Sequence, residues 1–330
     1  MSILLRRREF IAALGGSAAW PLVARAQQQT KPTIGWLDYR PGLPPRDYID
    51  AFRRGLAEIG FLEGRDVTVE YHTTAGHLQE LPALAADLVL RRVSVIFAPT
   101  TDSALAAKAA ARTIPVVFVM AADPVELGLV TSLNRPASNL TGAVSLGTEI
   151  AAKRLELLHK LVAATKSIAL LAGPADSAYD RAEARNVQTA ALALGLRLLL
   201  FNVTTDSEIA AAFATLIEQQ AGAVLLSGSV PLGSRTDRII SLAAPYTLPT
   251  MFVVGRAARA GGLSSYGPVL SESIRQAGVY TGRILKGEKP ADLPVQLATR
   301  FEFVINLKTA RELKLEIPPL VRALADEVIE

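Results

Sequence analysis

The side chains best suited to chemistry in this 330-residue chain are clustered hydroxyls, a few carboxylates and single arginines. Thr100-Thr101-Asp102-Ser103 precedes an alanine-rich helical segment. Hydroxyls combined with the free N–H groups of a helix start hold a carboxylate, because that end carries partial positive charge. The same residues also suit simple N-capping by Thr101, Asp102 or Ser103. Asp123 offers a negative group to a ligand's cation, or opens a turn before Pro124. Tyr39 and Tyr179 present faces for a planar or apolar ligand body, or fill the core. Arg256 pairs with a carboxylate or bridges two parts of the fold. Asp38, Ala121, Ser227 and Ser229 complete the candidate binding set. If the ligand is an amino acid, Asp123→Asn is expected to weaken binding by about tenfold or more, the worth of one charge-assisted hydrogen bond.

Other chemistries are poorly supplied. The chain has no cysteine, which removes disulfides, thiolate nucleophiles and thiolate-bound metals together. His72 and His77 straddle a strand-to-helix turn and His159 is remote in a helix, so no metal site is expected. There is no phosphate loop or dinucleotide fingerprint, and Ser227-Gly228-Ser229 lacks the glycine spacing of a nucleophile elbow. The expectation is binding without catalysis, cofactor or metal.

The elements that must position these residues alternate regularly. Strand-like runs at 33–37, 67–71, 93–97 and 115–120 are separated by helical patterns at 48–59, 78–90 and 103–112. A second series follows: helices at 148–162, 179–194, 207–219 and 235–244, with strands at 167–171, 196–203, 223–226 and 250–254. Continuous Val/Ile/Leu runs between helices indicate parallel sheets covered on both faces. Two successive series indicate two α/β lobes with doubly wound parallel sheets. In such sheets ligands lie beyond the carboxyl ends of strands. That rule selects Asp38 and Tyr39, Thr100 and Thr101, Ala121 to Asp123, the approach to Tyr179, Ser227 to Ser229, and Arg256. The tail departs from the pattern, with a short strand at 262–266, a helix at 271–285, a turn-rich connector at 287–292 and a strand at 301–305. A short helix at 309–313 and a closing segment at 320–329 end it.

The first 26 residues read as a secretory signal: Arg6 to Arg8, an apolar run from Phe10 to Val23, and Ala24-Arg25-Ala26 as a small-residue cleavage site. Arg7-Arg8-Glu9-Phe10-Ile11 has the character of a twin-arginine signal. The mature chain is then expected to start near Gln27 and to work in the periplasm. The segment carries four arginines and one glutamate, so most of the formal net charge of +4 leaves with it. The nearly neutral remainder argues against a nucleic-acid partner. No later apolar stretch reaches membrane-spanning length, so no membrane insertion is expected.

Several stretches together resemble the bacterial ABC-transporter substrate-binding protein family that includes tryptophan- and tyrosine-type solute receptors. They are Ala121-Ala122-Asp123-Pro124-Val125 with Gly128-Leu129-Val130, Asn139-Leu140-Thr141-Gly142, Gly261-Gly262-Leu263 with Ser265-Tyr266-Gly267-Pro268, and a tail pattern. That pattern joins Ile284-Leu285-Lys286-Gly287, Pro290-Ala291-Asp292-Leu293-Pro294, Phe301, Val304 to Ala310 and Ala325-Asp326-Glu327-Val328-Ile329. The resemblance implies a type I periplasmic-binding fold, in which two lobes joined by three crossovers close on a solute. The crossovers fit near residues 143–147, 255–262 and 287–294. One lobe then comprises 27–145 plus 262–288, and the other 146–261 plus 289–330. The implied function is that of a monomeric exported receptor for a small polar solute, an amino acid or related compound. Its implied partners are an ABC permease and a cytoplasmic ATPase. Readings from other classes are an exported α/β hydrolase-like enzyme and a sensing module for a separate membrane kinase.

Overall fold

The computed structural model describes residues 31–330, so the expected signal at 1–26 lies outside the described residues. The first lobe begins with β1 (Thr33–Asp38), α1 (Arg46–Glu58), β2 (Thr68–Thr73), α2 (Leu81–Leu90), β3 (Val95–Ala98), α3 (Thr101–Ala110), β4 (Val116–Met120) and β5 (Leu140–Val144). The second lobe continues with α4 (Ala151–Leu161), β6 (Ser167–Ala172), α5 (Ala178–Ala193), β7 (Arg197–Asn202), α6 (Asp206–Glu218), β8 (Ala223–Leu226), α7 (Val230–Gly233), α8 (Thr236–Ala243), β9 (Thr250–Phe252), α9 (Gly255–Arg259) and β10 (Ser264–Pro268). The chain returns to the first lobe for α10 (Leu270–Leu285) and β11 (Gln296–Leu297). It ends in the second with β12 (Phe301–Asn306), α11 (Leu307–Glu312), α12 (Pro319–Arg322) and β13 (Glu327–Ile329).

The first sheet has the order β11-β5-β4-β3-β1-β2, and every pairing in it is parallel. The second has the order β13-β12-β10-β9-β8-β6-β7, parallel except where β12 runs against β10. Both sheets are buried on both faces, as their apolar strands require. Val95 and Phe97 of β3 pack into one cluster while Ile96 and Ala98 pack into another. Ala223 and Leu225 of β8 likewise separate from Val224 and Leu226. This period-two division shows each strand feeding two cores at once. The first lobe adds an aromatic knot, with Trp36 edge-on to Phe97 at 4.6 Å and Phe52 stacked on Phe97 at 4.6 Å.

The pairing of α1 with α10 depends on missing side chains. A Cβ on Gly55 would lie 2.0 Å from the Arg275 carbonyl oxygen, and one on Gly278 would lie 2.3 Å from that of Phe52. The two glycines let the backbones touch, which seats Ile274, Ala277 and Tyr280 on the first sheet.

Three crossings join the lobes, but two fall away from their expected places. The first lies between β5 and α4, as expected. β10 pairs with β9 and β12, so 264–268 belongs to the second sheet and not to the first lobe. Leu293 and Val295 are buried in first-lobe clusters, and β11 extends the first sheet, so this stretch does not belong to the second lobe. The second and third crossings therefore lie next to Val269 and at 298–300. The glycines at 261–262 form the turn entering β10, and Gly287 ends α10 at φ +101°, so neither is a crossing.

Candidate functional site

The carboxyl ends of the parallel strands face a cavity of about 340 Å³ between the lobes. Its lining draws on the loops after β1, β3, β4 and β5 from the first lobe, and on α5 and the segments after β8 and β9 from the second. Tyr39, Thr100, Thr101, Ala121, Tyr179, Ser227, Ser229 and Arg256 all line it, as the strand-end rule anticipates.

Asp38 and Asp123 do not line it. Asp38 is fully buried and holds the loop after β1. Its Oδ1 accepts the Tyr39 N–H at 2.8 Å and the Arg40 N–H at 3.2 Å, while Oδ2 accepts the Arg40 Nε–H. Asp123 turns back on its own loop, where Oδ1 accepts the Val125 N–H at 2.7 Å and the Glu126 N–H at 3.3 Å. The expected role of Asp123 toward a ligand's cation is therefore corrected. Its carboxylate stabilises the turn that Asp-Pro opens.

The structure puts Arg40 in the lining instead. Burial works against its charge, but the Asp38 carboxylate prevails and holds the guanidinium pKa up. Arg40 Cζ sits 5.8 Å from the ring centroid of Tyr48 on α1, and Arg256 Cζ on α9 sits 5.8 Å from the same centroid. One tyrosine thus bears a guanidinium from each lobe, both at the cavity wall.

Thr100, and none of the three residues after it, is the N-cap of α3. Its Oγ1 accepts the Ser103 N–H at 3.1 Å, and Ser103 Oγ accepts the Thr100 N–H at 3.1 Å. Thr101 Oγ1 accepts the Ala121 N–H at 3.2 Å, tying the ends of β3 and β4 together. Asp102 then points across the cleft. Its Oδ1 accepts the Ala178 N–H and its Oδ2 the Ser177 hydroxyl, both at 2.9 Å. Burial raises its pKa against the lowering effect of those two donors.

On the second lobe the lining loop Ser227-Gly228-Ser229 is strapped to α5 by two buried carboxylates. Asp180 Oδ1 accepts the Ser227 hydroxyl and the Gly173 N–H, each at 2.7 Å. Glu183 accepts the Gly228 N–H at 3.2 Å and pairs with Arg154, both side chains being buried. Burial pushes the Asp180 pKa up to about 6. A Cβ on Gly228 would lie 2.2 Å from the Tyr179 hydroxyl, so only glycine lets this loop pass the tyrosine. Burial first, and then nearby carboxylates, hold the Tyr39 and Tyr179 pKa values well above the ordinary phenol value, so both remain neutral donors.

Sequence reasoning missed Arg40 and Tyr48 in the lining, and singled out neither Asp180 nor Glu183. The spacing of Asp180 and Glu183 by three residues puts them on one face of α5, and that face is inward. The charged lining comprises two guanidiniums and the Asp102 carboxylate, beside apolar surface from Phe252, Leu226 and Ile274. Such a lining offers hydrogen-bond donors to an anionic group beside apolar and aromatic surface. Among the described residues, no three His, Cys, Asp or Glu side chains are grouped to hold a metal ion, and no helix is long and apolar enough to cross a membrane.

Comparison with known proteins agrees with this architecture. A "Tyrosine-binding protein" of Clostridioides difficile is 24% identical over 283 residues, covering 80% of this chain and 76% of the relative. An ABC domain from Streptococcus pneumonia, solved in complex with L-Trp, superposes with a TM-score of 0.80 at 25% identity, over 91% of this chain and all of that one. A conserved domain protein from Vibrio cholerae superposes at 0.78 with 24% identity, over 91% of this chain and all of that one. The fold is that of the type I periplasmic binding proteins. The family described as "ABC transporter substrate binding protein" matches residues 46–329, and this chain belongs to that family.

Proposed function

We propose that the chain is an exported receptor that clamps an aromatic amino acid, or a closely related aromatic carboxylate, between its lobes and delivers it to an ABC permease with a cytoplasmic ATPase. One observation carries the ligand class: the guanidiniums of Arg40 and Arg256 share the Tyr48 ring at the wall of a mostly apolar cavity. The guanidiniums take the solute's carboxylate. The walls formed by Tyr39, Tyr179 and Phe252 take its ring. Each charge-assisted hydrogen bond contributes about 1.5–3 kcal/mol, and a buried aromatic side chain about as much again. A few such contacts reach the ~8 kcal/mol of a micromolar complex. The tyrosine-binding relative and the L-Trp complex support the same class. The basic and apolar segment at 1–26 supports export to the periplasm.

The experiment is a thermal-shift and titration series with L-tyrosine, L-tryptophan, and tyramine and tryptamine, which lack the carboxylate. A solute that binds the folded state raises its melting temperature by mass action. The amino acids are expected to stabilise the protein and the amines to have no effect. Equal stabilisation by the amines would reject the carboxylate reading.

A further inference from the structure

The cleft is spanned by contacts made between protein groups alone. Asp102 at the start of α3 accepts the Ala178 N–H and the Ser177 hydroxyl at the start of α5 in the other lobe, both at 2.9 Å. Ser177 Oγ in turn accepts the Asp180 N–H at 3.1 Å, so the first-lobe carboxylate joins the capping of a second-lobe helix. Val230 of α7 packs against the first-lobe cluster that holds Ala104 and Leu129. Asp102 is nine-tenths buried and Ser177 fully so, and a carboxylate oriented toward a helix start is favourably placed with respect to its dipole.

We infer that Asp102 is a positioning residue that latches the lobes shut through Ser177 and Ala178, so that the protein itself contributes part of the closing free energy. The inference rests on the clamp reading above. Opening the cleft separates Asp102 from both donors. The latch therefore acts on the closed state only, and sets how often the lobes close and how slowly a captured solute escapes. A solute then needs to supply only the remainder, and the latch raises its apparent affinity through contacts between protein groups.

The chain has no native cysteine, so fluorophores can be placed on Leu90→Cys in the first lobe and Leu192→Cys in the second, at residues 81% and 75% exposed. Single-molecule energy transfer on solute-free protein then reads the closed-to-open ratio. Asp102→Ala is expected to lower that ratio by about tenfold or more, as the loss of two charge-assisted bonds requires. Ser177→Ala is expected to lower it several-fold. The double variant should do little more than Asp102→Ala alone, because the two residues share one interaction. Asp102→Asn, which keeps the side chain's size and one acceptor oxygen, guards against misfolding of the alanine variant and should fall between it and the parent. With L-tryptophan as probe, Ser177→Ala should speed release, although Ser177 is not in the cavity lining. Absence of a closed population in the solute-free parent overturns the latch, as do unchanged ratios in correctly folded variants or full additivity in the double variant. Failure of L-tryptophan and L-tyrosine to bind the parent overturns the clamp reading instead, and the solute-free measurement then decides the latch by itself.

Discussion

The two walls of the cleft are built on different plans. The first lobe lines it with long side chains held in place from behind: Arg40 is oriented by Asp38 and lies over the Tyr48 ring, and Asp38 also accepts the Tyr39 N–H. The second lobe contributes a loop of short residues, Ser227, Gly228 and Ser229, shaped from beneath by Asp180 and Glu183, beside the larger Tyr179, Phe252 and Arg256. The first-lobe wall is thus held by Asp38 behind it and by Tyr48 within the lining, and the second-lobe loop by carboxylates beneath it. Arg256 is a second-lobe cation that reaches the first-lobe Tyr48. Removing a first-lobe side chain should strand its partner, whereas adding atoms to the second-lobe loop should block the space.

The largest effect is expected from Arg40→Ala. It leaves the fully buried Asp38 carboxylate without its cation, and loss of one partner of a buried pair costs about 3–5 kcal/mol of folding stability. Urea unfolding measures this loss, and a cost under about 1 kcal/mol would show that the first-lobe wall is not held by the pair.

Gly228→Ala tests the opposite wall. Its Cβ collides with the Tyr179 hydroxyl, so the tyrosine must move into the cavity or the loop must shift. Overpacking costs roughly 1–3 kcal/mol, and affinity for L-tryptophan should fall by about tenfold to a hundredfold by calorimetry.

The pH response should also separate the walls. Asp180 has a pKa of about 6 in the folded state, against the ordinary 3.8. A raised acid pKa stabilises the fold through the protonated form. That contribution is complete below about pH 3.8 and is lost as pH rises through 6. The full shift corresponds to roughly 3 kcal/mol. Asp102, shifted upward by burial, acts in the same direction, while Glu208, lowered to about 2 at an exposed helix cap, acts oppositely and weakly below its ordinary range. Asp180→Asn should therefore flatten the stability profile between pH 4 and 6 in denaturant titrations. An unchanged slope would remove Asp180 from the account. The smallest effect is expected from Asp123→Asn, where affinity should stay within about twofold, because that carboxylate binds only its own turn.

The alternation of apolar runs and helical patterns made both lobes legible, since buried parallel strands must be apolar throughout. β5 escaped notice because Thr141 and Gly142 interrupt its apolar run, and β13 because its residues are only partly buried. At the site, the strand-end rule located loops along the chain but not the direction of each side chain. Tyr39 and Ser227 do line the cavity, yet Asp38 faces inward to its own loop and Arg40, two residues on, reaches the cavity. The spacing of Asp180 and Glu183 puts them on one helix face but does not fix on which side that face lies, because their burial depends on the loop at 227–229, more than 40 residues away in sequence.

The central claim is most directly tested by a crystal structure of the protein grown with L-tryptophan. The account predicts the solute between the lobes, its carboxylate within hydrogen-bond reach of Arg256 or Arg40 and its ring against Tyr39, Tyr179 or Phe252. A solute outside this cavity, or one whose carboxylate touches neither guanidinium, would contradict it.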